Sequence, residues 1–213
     1  MDKSARVKAL LKGLRTLYPD AHCELDYTTP LELLIATILS AQCTDVRVNK
    51  TTKALFKRYK TAGDYASADP AELEGIIRSC GFYRMKAKSI METSRLILER
   101  FGGRVPDAME DLLTLRGVAR KTANVVLGEA YGKPSGVVVD THMKRLCWRF
   151  GLTEESDPVK VEQDLIACVP KKDWVFWSHA VIWHGRRVCK ALSPACGACA
   201  LRPDCPQRGV DAD

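Results

Sequence analysis

Four clustered cysteines, a lysine opening a helix and an aspartate closing an apolar run are the residues here best suited to chemistry. The cysteines run Cys189-x6-Cys196-x2-Cys199-x5-Cys205, followed by Pro206. Four thiolates on one short, loop-rich segment can surround a tetrahedral ion or meet an iron–sulfur cubane corner by corner. Structural zinc usually takes two close pairs, and only one Cys-x2-Cys pair occurs here. The run also differs from the bacterial ferredoxin spacing, although it shares the closing Cys-Pro. On spacing alone a four-iron cluster, a zinc ion and four coincidental core cysteines all stay open. Cys23, Cys43, Cys80, Cys147 and Cys168 are scattered among apolar residues and read as small core hydrophobes. An odd total of nine cysteines with no secretory segment argues for a reducing compartment and for metal rather than disulfides.

The lysine is Lys121, in Leu115-Arg116-Gly117-Val118-Ala119-Arg120-Lys121-Thr122-Ala123-Asn124. Two short helices joined by a tight glycine-containing turn form a hairpin, with its helices expected over about 108–114 and from Arg120 onward. Such a turn leaves the first N–H groups of the second helix pointing one way. Those donors, with Arg116 and Arg120 beside them, suit a phosphate and read no sequence. A hairpin that only packs is the plainer alternative. A cation in the first turn meets the positive end of the helix and the flanking Arg120, and both favour the free amine needed for attack on carbon. A solvated or phosphate-contacting lysine fits the same pattern. Asp140 follows Val137-Val138-Val139 and precedes Thr141-His142-Met143, so its simplest role is a helix N-cap. A carboxylate fixed there also suits stabilising positive charge or orienting water. His142 reads either as a site residue or as a partly exposed helix histidine. No His-Glu-x-x-His, P-loop, GxGxxG or Gly-x-Ser-x-Gly element occurs.

The elements that must position these residues are helical. Thr29-Pro30-Leu31-Glu32 and Asp69-Pro70-Ala71-Glu72 each place an N-cap, a proline at the first helical position and an acid at the third. Asp107-Ala108-Met109-Glu110 repeats the device without proline, Asp157-Pro158 opens another helix, and Asp173 is placed to cap the aromatic helix after it. Apolar residues then recur at helical spacing, as in Leu31, Leu34, Ile35, Ile38 and Leu39. Val137–Val139 is the strongest β candidate and too short for more than an extended stretch. The expectation is an all-α chain of about nine or ten short helices. Breaks fall near Tyr18-Pro19 and at Gly132-Lys133-Pro134-Ser135-Gly136.

Composition excludes several classes. Hydrophobic residues at 46% and charged residues at 28% are ordinary globular values, which rules out a disordered or low-complexity chain. No apolar run approaches the roughly 20 residues of a membrane span. Met1-Asp2-Lys3-Ser4-Ala5-Arg6 leads into no export signal, so the expectation is a cytoplasmic protein that is not secreted. Lys+Arg 33 against Asp+Glu 26 gives a net charge of +7 and favours a polyanionic partner. Basic residues gather where acids are missing: Arg84, Lys86 and Lys88 within 79–91, and Lys144, Arg145 and Arg149 within 141–153. Arg116, Arg120 and Lys121 form a third cluster, and Arg186, Arg187 and Lys190 a fourth.

Together the hairpin, Val139-Asp140-Thr141-His142 and the cysteine run closely resemble endonuclease III, the iron–sulfur branch of the helix-hairpin-helix DNA glycosylases. Leu33-Leu34-Ile35-Ala36-Thr37-Ile38-Leu39-Ser40-Ala41-Gln42-Cys43-Thr44-Asp45 resembles that branch's early helix, and the likeness runs from about residue 5 to 207. The resemblance implies an all-α, two-lobed fold: a six-helix lobe over 23–135 with the hairpin near 108–127, and residues 1–22 with 136–213 forming a lobe that holds the cluster loop 189–205. Damaged double-stranded DNA would lie across the cleft between them. It implies Lys121 as nucleophile, Asp140 as assisting carboxylate, and one [4Fe-4S] cluster per chain on Cys189, Cys196, Cys199 and Cys205. Gln42 matches a residue that enters the duplex, and Phe82 falls where the family places an apolar wedge. Arg84, Arg116, Gly117, Ala119, Arg120 and His142 complete the expected DNA contacts. The implied activity is that of a bifunctional glycosylase and abasic-site lyase of base excision repair. It would release oxidised or ring-saturated pyrimidines through a lysine Schiff base and β-elimination, acting as a monomer on nucleoid DNA.

Two positions depart from the family hairpin, which usually reads Leu-Pro-Gly-Val-Gly: Arg116 stands for the proline and Ala119 for the second glycine. Loss of glycine at 119 is expected to restrict backbone approach to a phosphate. The enzymatic rival is a glycosylase of the same superfamily for adenine or thymine in mispairs, and the presence of Lys121 argues against it. A non-enzymatic iron–sulfur DNA-binding module is the other alternative, and Lys121 with Asp140 argues against that.

Overall fold

The structure, a computed structural model, describes residues 2–210; Met1 and residues 211–213, the outermost ends of the expected N/C-terminal lobe, lie outside the described residues. Among the described residues there are eleven α-helices, four single turns of 3-10 helix and no strand. None of the helices is long and apolar enough to cross a membrane. The chain divides into two units, Glu24–Ser135 and Met1–Cys23 with Gly136–Asp213.

The Glu24–Ser135 unit contains α2 (Pro30–Leu39), α3 (Asp45–Arg58), α4 (Ala62–Ala66), α5 (Pro70–Ile77), α6 (Tyr83–Phe101), α7 (Met109–Leu112) and α8 (Arg120–Tyr131). Helix α2 is apolar almost all round, and every residue from Leu33 to Leu39 is buried. A helix without a polar face must be surrounded, and α3, α6 and α8 do so. Its start is fixed by Thr29 Oγ1, which accepts from Glu32 N at 3.2 Å, and by Pro30. Asp69 caps α5 in the same manner, accepting from Glu72 N at 2.8 Å. Thr61 and Asp64 close a reciprocal capping box on α4. Two N–H donors, from Lys60 and Thr61, hold the Asp64 carboxyl below its ordinary value.

The second unit contains α1 (Lys3–Leu17), α9 (Thr141–Arg149), α10 (Pro158–Cys168) and α11 (Trp174–Arg187), followed by a loop with 3-10 turns at Cys196–Ala198 and Arg202–Asp204. Val7, Leu10 and Leu14 of α1 pack into one core with Met143, Leu146, Leu165, Trp177 and Leu201. Val137–Val139 is buried and extended but joins no ladder; Val138 N instead donates to Ser178 Oγ at 3.0 Å.

Four expectations are corrected. The helix expected over 108–114 is the four-residue α7, and eleven α-helices replace nine or ten. Asp107 does not cap it; the N-cap is Ala108, while the Asp107 carboxylate pairs with Lys133. Asp173 starts α11 without a side-chain cap, because its buried carboxylate takes Arg15 Nη2 at 2.5 Å. An ion pair with a distant cation has outcompeted the local amide in both places. Asp157, by contrast, accepts from Val159 N and Lys160 N at 3.0 and 3.1 Å. Asp157→Ala is therefore expected to lower the unfolding free energy by about 1 kcal/mol. Asp107→Ala should change it by less than about 0.5 kcal/mol, both read from urea midpoints at unchanged slope.

Candidate functional site

The turn between α7 and α8 is pinned from beneath. Leu115 and Val118 are buried, Val118 N closes on Leu115 O at 3.2 Å, and Thr93 Oγ1 of α6 donates to Arg116 O at 2.7 Å. Gly117 sits at φ 77°, and a Cβ there would lie 3.2 Å from Ser89 Cβ, so both the backbone and the space demand glycine. Ala119 has φ −91° and ψ 170°, extended backbone that any residue adopts. Alanine at 119 therefore adds no backbone strain. No side chain caps α8 at Ala119, which leaves its first amides to other acceptors. Lys121 stands exposed in that first turn, with Arg120 half-buried beside it. Arg116 is half exposed and donates to Glu92 Oε2 at 2.7 Å, so a carboxylate already shares its charge.

On the other unit Asp140 is the N-cap of α9, its Oδ1 accepting from Met143 N at 2.8 Å. This bond fixes the half-buried carboxylate relative to the helix axis. His142 is half-buried as well, with Nδ1 3.2 Å from Arg145 Nη2. It packs so closely on α11 that a Cβ at Gly185 would lie 3.0 Å from the His142 Cβ. Burial, reinforced by Arg145 and Arg186, holds its pKa below the ordinary histidine value. Gln42 and Phe82 are exposed and both adopt positive φ, 53° and 45°. The Arg84 side chain is largely in solvent, 3.8 Å from Glu74. Lys86, counted among the solvent-facing basic residues, is buried instead.

All four clustered cysteines line one cavity, together with Arg149, Phe150, His184 and Val188. Among the described residues no three His, Cys, Asp or Glu side chains are grouped as ligands of a single ion. Hydrogen-bond partners surround the sulfurs. Arg149 Nη1 lies 3.2 Å from Cys189 Sγ and donates to Lys190 O at 2.7 Å, while Nη2 donates to Ala191 O at 3.0 Å. Gln207 N donates to Cys205 Sγ at 3.4 Å, and His184 Nε2 lies 3.4 Å from Cys199 Sγ. The other His184 nitrogen meets Tyr18 OH at 3.0 Å. Burial pushes the Cys205 thiol up to about 11 and raises Cys199 in the same direction.

Sequence reasoning passed over Arg145, Arg149 and His184. The two arginines were read as a patch for a polyanion, but Arg145 Nη2 donates to Gly185 O and Cys189 O, both at 3.0 Å. Arg149 lies three residues after Leu146 on the buried stripe of α9, and that position was the available signal.

Residues 35–171 match the HhH-GPD superfamily of base excision DNA repair proteins. Endonuclease III from Synechocystis is 55% identical, covering 96% of this chain and 93% of its own. The chain belongs to the endonuclease III family. Its fold agrees with an endonuclease III–DNA non-covalent complex at TM-score 0.92 and 42% identity, covering 97% of this chain and 96% of that one. A trapped covalent endonuclease III–DNA intermediate matches equally, at TM-score 0.92 with 97% of each chain covered. Endonuclease III membership fixes the fold class as the two-lobed helix-hairpin-helix glycosylase fold with a C-terminal four-cysteine loop.

In this endonuclease III relative the Arg149 guanidinium holds two carbonyls at the start of the cysteine loop. Arg149→Ala is expected to leave two carbonyls without their donor, at a cost of about 3 kcal/mol. Amide exchange over residues 189–199 should accelerate well before that of α2.

Proposed function

We propose that this chain is a bifunctional DNA glycosylase and abasic-site lyase that removes oxidised or ring-saturated pyrimidines from damaged duplex DNA. Lys121 is its nucleophile and Asp140 its assisting carboxylate. The observation that carries this reading is the exposed Lys121 amine in the first turn of α8, a helix start that no side chain caps. A relative of 42% identity caught as a covalent DNA intermediate supports it. The lobes proposed are 23–135, with the hairpin at 108–127, and 1–22 with 136–213; the unit boundary at Ser135 supports that division. A monomer working on nucleoid DNA in the cytoplasm completes the proposal.

Each step has a physical basis in these residues. The uncapped amides of α8 and its dipole bind a backbone phosphate, which positions the duplex without reading it. Arg84, Arg116, Arg120 and His142 add polar and cationic contacts. A damaged nucleotide leaves the stack at a cost of a few kcal/mol, least for poorly stacked lesions, and Phe82 and Gln42 fill the gap. The Lys121 lone pair attacks C1′, the glycosidic bond breaks, and the base departs with its electron pair and acquires a proton. Asp140, held by Met143 N, stabilises the positive charge developing on the sugar. The C1′–O4′ bond then breaks as O4′ takes up a proton, giving a protonated imine that acidifies C2′; loss of a C2′ proton expels the 3′ phosphate, and water releases Lys121.

Cys189, Cys196, Cys199 and Cys205 would hold one [4Fe-4S] cluster. The fit rests on four thiols lining one cavity, with N–H donors from Arg149 and Gln207 directed at its sulfurs. When bound, the cluster supplies covalent cross-linking of a loop that has little regular structure of its own. Anaerobically purified protein should carry about four irons per chain and absorb broadly near 400 nm. Zinc as the sole stoichiometric metal refutes the assignment.

Borohydride trapping on a thymine glycol duplex tests the two catalytic residues. Wild type should trap strongly, Lys121→Ala not at all although it still binds the duplex. Asp140→Asn should excise about 10²-fold more slowly, with a smaller defect at a preformed abasic site. Undiminished trapping by Lys121→Ala moves the nucleophile elsewhere, and a preference for mispaired over thymine glycol duplexes favours the mispair-specific reading.

A further inference from the structure

Lys86 lies in the first turn of α6 and is only 6% exposed. Its Nζ donates to Leu39 O and to Cys80 O, each at 2.7 Å. Leu39 is the last residue of α2, and Cys80 ends the 3-10 turn Arg78–Cys80 that precedes α6. Each carbonyl therefore stands at the root of a short connection, Ser40–Thr44 on one side and Gly81–Phe82 on the other. Each connection carries one non-glycine residue at positive φ, Gln42 at 53° and Phe82 at 45°. Among the described residues Gln207 is the only other.

Phe82 is unfavourable as it stands. The residue is 62% exposed, and a left-handed backbone costs an aromatic residue about 1 kcal/mol or more. Such a conformation persists only where the surroundings over-determine it. Lys86 provides that determination, because one ammonium joins two chain segments 41 residues apart (39 to 80) at a single point. Thr51 Oγ1 and Ser79 Oγ, 2.9 Å apart, fasten the second segment to α3 as well. Burial pulls the Lys86 pKa below the ordinary lysine range, opposed by the Cys43 and Cys80 thiols. With its protons directed at two carbonyls and its stem enclosed, this amine is no nucleophile.

We propose that Lys86 is a positioning residue that holds the Gln42 and Phe82 connections as one preformed unit, so that both side chains enter the duplex together. The proposal rests on the reading that these two residues occupy the gap left by a damaged nucleotide. It assigns Lys86 to extrusion of the nucleotide and leaves attack at C1′ untouched.

Two substrates separate the roles. One is a thymine glycol duplex with 2-aminopurine beside the lesion, which brightens on unstacking; the other is a single-stranded abasic oligonucleotide, where nothing need be extruded. Lys86→Met should lose the 2-aminopurine signal and excise from the duplex at least about 10-fold more slowly. It should nick the single strand within about twofold of wild type, since Lys121 is unaltered. Lys86→Gln, which keeps an N–H donor, should recover part of both duplex readouts. Equal losses on the two substrates, or wild-type extrusion by Lys86→Met, overturn the proposal. The coupling is also readable without altering the buried site. Gln42→Ala and Phe82→Ala should be non-additive in the 2-aminopurine signal, the double variant losing no more than the worse single one, and additivity overturns the proposal. A wild-type protein that nicks neither substrate refutes the glycosylase reading itself, an outcome distinct from all of these.

Discussion

An α-helix leaves the N–H groups of its first turn and the carbonyls of its last without partners, and a chain of eleven short helices is shaped by where those groups are sent. Seven helices receive a side-chain acceptor at the start, from Asp2, Thr29, Thr44, Thr61, Asp69, Asp140 and Asp157. Helices α6, α7, α8 and α11 begin without one. Two of these uncapped starts carry Phe82 and Lys121, the residues to which chemistry and wedging are assigned. Asp140, the N-cap of α9, is also the carboxylate proposed to assist Lys121, and Met143 N holds it at 2.8 Å.

Buried and half-buried cations gather carbonyls elsewhere. Lys86 gathers the carbonyls of Leu39 and Cys80, Arg145 those of Gly185 and Cys189, and Arg149 those of Lys190 and Ala191. A charge withdrawn from water is costly unless strongly hydrogen-bonded, and two or more full carbonyl partners meet that condition. Each such cation converts an irregular connection into a fixed one. The net charge of +7 consequently overstates what faces a polyanion. Arg187, although exposed, lies over an aromatic face, 4.0 Å from the Trp183 ring centroid.

What the sequence reveals and what it hides divide by distance along the chain. The caps at Thr29-Pro30, Asp69-Pro70 and Asp157-Pro158 were legible because cap and amide are two or three residues apart. Asp107 and Asp173 carry the same local signature, yet partners 26 and 158 residues away claimed their carboxylates. The hairpin glycine was legible as a turn, but not the approach of Ser89 that forbids a side chain. Lys86, Arg145 and Arg149 look like any basic residues in an acid-free run. Only the carbonyls brought to them by the fold distinguish them, and those lie up to 47 residues away. The helical class and the positions of Lys121 and Asp140 at helix starts follow from local pattern, whereas the network behind the cysteine loop does not.

The interleaving of the two units bears on synthesis. Helix α1 is made first, but Leu10 and Leu14 bury against Trp177 and Leu201, and Arg15 meets Asp173 across 158 residues. At about 5–20 residues per second the ribosome needs roughly ten to thirty seconds to supply those partners. Through that interval α1 is an amphipathic segment with no core to join, while residues 24–135 emerge complete with their own. The nascent chain thus holds an unpaired apolar stripe on α1 until α11 and Leu201 emerge, and chaperone demand should concentrate there.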